Sequence, residues 1–241
     1  MKASLDPPMP VRTVVLPAVR RSRAALALLL LAASLAIAVP VRAQPGAVQL
    51  EDDLEIVVLP QRLLGIGSHG GGQREVALEL GERVLWQGVR GSVGMVLTDR
   101  RVLALSTASG SWQSERYRRT ETVPDPPLLG GRVGILVLRT RFLGFDGGSG
   151  NLVESSIGPS EKVLDWGVSQ NVAIAVTDRR VVGLSPFRGG FFQTSVSPGE
   201  RYQGLTTVAN SATVTTSRRL LIFRAPSGTW EERNLDLRDR R

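Results

Sequence analysis

Short apolar runs recur along this chain at a nearly constant interval. Val93–Leu97 and Val102–Leu105 flank the tetrapeptide TDRR at Thr98–Arg101, and Val172–Val176 and Val181–Leu184 flank a second TDRR at Thr177–Arg180. Each run is rich in β-branched residues, is four or five residues long and is bounded by turn residues. A strand points successive side chains to opposite faces, so a run that is apolar throughout predicts a strand buried on both sides. Aligning the two copies on Arg101 and Arg180 brings in three weaker ones, on Arg62, Arg141 and Arg219. The five arginines are spaced 39, 40, 39 and 39 residues apart.

Other columns keep the same register. Four residues after each Arg stand Ile66, Leu105, Phe145, Leu184 and Phe223; eleven after it stand Gln73, Trp112, Leu152, Phe191 and Trp230; twenty after it stand Glu82, Glu121, Glu161, Glu200 and Asp239. Each unit reads as four strands: A before the Arg, B after it, then a Gly-rich turn, a C strand of mixed polarity and a D strand such as RVLWQGV or KVLDWGV. Glycine suits those turns because it takes positive φ without steric cost. No helical period of useful length occurs outside the N-terminus.

Four short strands per unit and a period near 40 predict an all-β fold, a five-bladed β-propeller of 20 strands. In unit length and in its strand–tight turn–strand core the chain resembles WD40-like and other propeller repeat proteins, without their Gly-His and Trp-Asp signatures. It is similar to tachylectin-type lectins in unit count. The fifth unit has A, B and C strands only, and Pro45–Glu51 ahead of the first A strand is in D register. The expectation is that this N-terminal strand closes the ring beside Thr229–Leu235.

Residues 1–43 read as a secretory signal peptide: a basic stretch, an apolar core from Ala24 to Val39 broken only by Ser34, then Val41-Arg42-Ala43. The core is shorter than the about 20 residues a membrane span needs. The domain assignment is therefore 1–43 leader and 44–241 propeller, with no membrane span after cleavage. Of 30 Lys/Arg and 22 Asp/Glu, six and one fall in the leader, which leaves a net charge near +3. Such a balance excludes the concentrated basic face of a nucleic-acid binder. The absence of Cys excludes disulfides, thiol catalysis and thiolate metal sites. Lys occurs only at Lys2 and Lys162, an Arg-rich usage that, with the leader, points to a bacterial chain in the periplasm or outside the cell.

Candidate chemistry is sparse. Arg101, Arg180 and Arg219, with Arg62 and Arg141, fall on one rim and could bind an anionic ligand through bidentate bonds. The acid column falls on the same rim, so the competing reading is a set of ion pairs that lock units in register. Asp99 and Asp178 suit turns by bonding to their own backbone. Trp112 and Trp230 could stack on sugars, or fill the space between blades. His69 is alone, too few ligands for zinc and no basis for a His triad. Glu55 is the one acid on the A strands, whereas glycosidase chemistry needs a pair. The loop Tyr117–Gly131, with Arg118 and Arg119, breaks the repeat and is the first place to look for partner contact.

These observations predict an exported, non-catalytic binding or scaffolding module of the bacterial envelope, monomeric, with no cofactor or metal and with an unknown protein partner or glycan. The alternatives are a carbohydrate-binding lectin and, less favoured, a hydrolase. The candidate ligand-contacting residues are Arg101, Arg180, Arg219, Arg118, Arg119, Trp112 and Trp230.

Overall fold

Each Arg-type turn joins the two middle strands of a small sheet. The computed structural model describes residues 52–68 and 72–235, which form 19 strands and no helix. The leader, Pro45–Glu51, His69 and Asp239 lie outside the described residues. The first sheet holds β1 (Leu54–Leu59), β2 (Arg62–Gly67) and β3 (Gln73–Ala77). The second holds β4 (Val84–Arg90), β5 (Val93–Thr98), β6 (Arg101–Ser106) and β7 (Gln113–Arg116). The third is β8 (Leu128–Leu129), β9 (Val133–Val137), β10 (Arg141–Asp146) and β11 (Asn151–Ser156). The fourth is β12 (Val163–Val168), β13 (Ala173–Thr177), β14 (Arg180–Ser185) and β15 (Gly190–Ser195). The fifth is β16 (Tyr202–Val208), β17 (Ser211–Thr216), β18 (Arg219–Arg224) and β19 (Thr229–Asn234). All pairings are antiparallel between consecutive strands, so each sheet is a simple meander.

The order within a sheet is D-A-B-C, which corrects one expectation. Each D strand pairs with the A strand that follows it, as in β4 with β5, not with the C strand that precedes it. The cause is local. Arg90 and Val93 are paired across the two-residue turn Gly91-Ser92, and so short a turn can only fold a strand back on its successor. Gly91 has φ 55°, and a Cβ there would stand 2.7 Å from the Gly131 carbonyl oxygen, so glycine is required on both counts. The fifth sheet is thus already four-stranded, and β19 holds the edge that β7, β11 and β15 hold in theirs. By the rule of the other sheets, the D position of the first sheet lies beside β1, and β19 stands where the other sheets have their C strand.

The sheets stack face to face in chain order, A strand against A strand for the first four: β1 on β5, β5 on β9, β9 on β13. The core is therefore divided into four slabs, one at each joint. Ile56 and Leu63 meet Val96 and Leu103 at the first; Met95 and Ala104 meet Leu136 and Phe145 at the second. Ile135 and Phe142 meet Ala175 and Leu184 at the third, and Ile174 and Val181 meet Val214 and Phe223 at the fourth. A knob-and-socket column sets the spacing. A Cβ added at Gly65 would run into Leu105, at Gly144 into Leu184, and at Gly183 into Phe223, each from the next sheet. Burying one such Leu or Phe contributes about 1.5–3 kcal/mol.

Both faces of the middle strands are covered in the second, third and fourth sheets, where β5, β6 and β10 are buried along their whole length apart from the half-buried Arg101 that opens β6. The end sheets differ. On the first, Glu55 and Ile66 are exposed and Val57 and Leu64 half-buried, all on the face turned away from the second sheet. On the fifth, Ser211, Thr213, Leu220 and Ile222 are half-buried on the face turned away from the fourth.

Candidate functional site

The TDRR turn is built from the threonine outward. Thr98 Oγ1 accepts the backbone N–H groups of Arg100 (3.1 Å) and Arg101 (3.0 Å) and donates to the Arg101 carbonyl. Thr177 and Thr216 do the same in their units. With those N–H groups taken, Asp99 does not bond to its own turn, contrary to the sequence expectation. Its carboxylate accepts the backbone N–H of Arg83, and Asp178 accepts that of Lys162, so each aspartate ties the turn to the start of its D strand.

In the second to fifth sheets the arginine that closes the turn reaches back to the preceding sheet. Arg101 donates from Nε and Nη2 to the two carboxylate oxygens of Glu82, both at 2.9 Å, and from Nη2 to the Ala77 carbonyl at 2.8 Å. Arg219 repeats this on Glu200 (3.0 and 3.1 Å) and the Ser195 carbonyl (2.9 Å). Arg180 binds Glu161 at 2.8 Å, the Ser156 carbonyl and Gln193. Arg141, only 1% exposed, contacts Glu121, Glu115 and Glu154 at 3.2, 2.7 and 2.6 Å. Each glutamate of the column also closes its own turn, as when Glu82 accepts the Glu79 N–H at 2.7 Å and Glu121 the Arg118 N–H at 2.8 Å. The pairing is between units: each acid serves the arginine of the next repeat.

Burial by itself would raise the pKa of these carboxyls, but their partners outweigh it. Glu200 is held down at about 2 by Arg219, the Thr216 hydroxyl and the Ser197 N–H. Glu82, Glu121 and Glu161 are lowered by the same combination of burial opposed by arginine and turn bonds. Burial, then the charges of Asp99 and Glu121, push the Tyr117 phenol up to about 12.

The other candidates are placed as follows. The Trp112 indole N–H donates to the Arg74 carbonyl, and that of Trp230 to the Phe192 carbonyl, both at 3.1 Å and both across a joint. Trp230 also packs on Phe223, with centroids 5.0 Å apart. Arg118 donates from Nη2 to both carboxylate oxygens of Glu154 at 2.9 Å, while Arg119 is exposed. The structure thus draws Arg101, Arg180, Arg219, Trp112 and Trp230 into the joints and leaves Arg118 and Arg119 at the surface. A second column, polar throughout and acidic at three of its five positions, was not read from the sequence. Thirteen residues after the Arg stand Glu75, Ser114, Glu154, Gln193 and Glu232, and four of these five contact their arginine. The fixed offset was the signal available.

Two further features lie at the surface. The D strands, each at a free sheet edge, expose Leu85, Leu128, Leu164, Trp166 and Val208. Between the fourth and fifth sheets lies a cavity of about 300 Å³, lined by Leu164, Val176, Val196, Tyr202 and Val214 with Asp178 and Arg201. Tyr202 donates its hydroxyl to Asp165 beside it. Among the described residues no cluster of three metal-ligating side chains occurs.

No protein-family model matches the chain, and no curated protein does. Among solved structures it is similar to the N-terminal domain of Nup159 (8% identity, TM-score 0.31) and to the WD40 domain of SCAP from fission yeast (12%, 0.34). It is also similar to PorZ, a surface component of the type-IX secretion system of Porphyromonas gingivalis (12%, 0.34). The alignments cover 76%, 76% and 77% of this chain, and 58%, 47% and 27% of those chains. The chain thus spans little more than half the length of the first of them.

Proposed function

We propose that residues 44–241 are an exported, non-catalytic binding and scaffolding module of a bacterial envelope, delivered by cleavage near Ala43 and recognising a protein partner. The observation that carries this reading is the set of apolar side chains on the D edges: Leu85, Leu128, Leu164, Trp166 and Val208 stand exposed on successive D strands, and Leu164 also lines the 300 Å³ cavity. Exposed apolar side chains gathered on one side of a fold mark an interaction surface. By contrast, the arginine column spends its hydrogen bonds within the molecule. The bulges in β4, β12 and β16 disfavour continuous strand addition at these edges, so side chains do the recognising. The loop Tyr117–Gly131, with exposed Arg119 and Val123, is a secondary contact.

A photo-crosslinking amino acid at position 164, introduced in the source bacterium, tests this. One saturable protein product is expected, lost when Trp166 and Val208 are changed to Glu and retained with Trp112→Ala. Glycan-array binding that disappears in Trp112→Ala and Trp230→Ala would favour the lectin instead.

A further inference from the structure

The four joints between sheets are made from the same parts, and every part leaves one half unused at each end of the stack. The arginine joint needs a carbonyl from the preceding C strand, supplied by Ala77, Arg116, Ser156 and Ser195 in turn. Fifteen residues separate each arginine from the carbonyl it offers forward, so the next in the series is Asn234, exposed at the end of β19. The arginine without such a partner is Arg62. It is 52% exposed, and its carboxylate contact is the equally exposed Glu75 of its own sheet. The D–A turns form a second series: Asp53 N–H to Gly91 carbonyl, Ser92 to Gly131, Arg132 to Gln170 and Asn171 to Ala209, at 2.8–2.9 Å. Asn210 N–H and the Asp52 carbonyl stand in register for a fifth bond.

The end faces are also matched to each other in shape and polarity. At the inner joints a small residue of one sheet receives a large one of its neighbour; the position of Gly134 meets Met95. At the ends the sizes are exchanged. Glu55 occupies the Gly134 position and Thr213 the Met95 position, so a carboxylate would face a hydroxyl. Likewise the socket column of Gly65, Ala104, Gly144 and Gly183 ends in Ile222, and the knob column begins with Ile66. Two isoleucines carry as many side-chain carbons as Ala104 and Phe145 together, so the volume at that point is conserved. Ile66 is 38% exposed, whereas Leu105, Phe145, Leu184 and Phe223 in its column are fully buried.

We propose that the outer face of the first sheet docks on the outer face of the fifth sheet of a second copy of this chain, in place of the monomer expected from the sequence. Among the described residues no sheet packs on either outer face, and their side chains are half-buried or exposed, while all four inner joints are bonded. A second copy supplies the missing half without disturbing them. The interface is heterologous: Arg62 of one copy reaches the Asn234 carbonyl of the other, Glu55 meets Thr213, and Ile66 packs on Ile222. Such a contact repeats head to tail, building a ring or a filament. It depends on the fold and not on the function proposed above.

Light scattering on the exported chain across a concentration series is the test. The wild type forms species larger than a monomer. Ile66→Lys blocks one face and Ile222→Lys the other, so each variant alone is monomeric, its self-association weakened at least about tenfold. Mixing the two restores one good interface, and a 1:1 dimer appears. Arg62→Glu and Thr213→Glu, milder surface changes, repeat the pattern should a lysine variant unfold. A wild type that stays monomeric at every concentration overturns the proposal, whether its end faces close on each other or simply face water. So does association that survives both blocks, or a mixture that stays monomeric.

Discussion

Arg141 and Arg62 stand in the same column of the repeat and do different work. Arg141 sits in the middle of the stack, 1% exposed, with three carboxylates and the Arg116 carbonyl around it. Arg62 sits at the end, 52% exposed, with one exposed glutamate. The residues, the turns and the strands on either side are equivalent. What differs is the presence of a preceding sheet. The physical weight of a repeated residue here is therefore set by its neighbour in the stack and not by its place in the motif. The apolar columns follow the same rule: Phe145 and Ile66 are equivalent in sequence, and only the first is buried.

The largest way to break this comparison is to remove Arg141. Arg141→Met leaves the fully buried Glu121 side chain without its cation, and such uncompensated charges destabilise by about 3–5 kcal/mol. Denaturant unfolding should show that loss. A smaller effect is expected from Gly183→Val, whose Cβ would stand 2.7 Å from the Phe223 ring; overpacking of this kind costs about 1–3 kcal/mol. Acid comes next. Glu82, Glu121, Glu161 and Glu200 have folded pKa values below the ordinary 4.5, about 2 for Glu200. Their contribution is complete above the unfolded value and is lost as pH falls from there toward the folded one. Stability measured between pH 5 and pH 2 should decline over that window, and a flat profile would contradict the assignment. The smallest effect is at the end of the stack. At concentrations low enough to keep the chain monomeric, Arg62→Met removes an exposed pair and should shift the unfolding free energy by less than about 1 kcal/mol.

The period, the strands and the existence of an arginine–acid column were legible because each recurs five times, and chance does not repeat a spacing of that regularity. The sense of the pairing was not. A repeat has no marked beginning, so assigning D to the preceding or the following sheet is a choice of phase that periodicity leaves open. The deciding signal was Gly91-Ser92, a turn too short to do anything but return the chain on itself. The aspartates of TDRR were misread for a similar reason. Thr98 competes for the same backbone N–H groups and wins them, and a turn propensity scored one residue at a time does not show that competition. The tryptophan columns gave no hint of their direction, since an indole that bridges a joint and one that faces a sugar have the same sequence.

The most direct test of the account is a pair of double-mutant cycles read by equilibrium unfolding, one on Arg219 and Glu200 and one on Arg62 and Glu75. In the dilute monomer a coupling of about 1.5–3 kcal/mol is expected for the inner pair, typical of a charge-assisted bond shielded from water, and below about 0.5 kcal/mol for the outer one. Equal couplings in the two cycles would contradict it, because the arginine column would then owe nothing to the sheet it reaches across to.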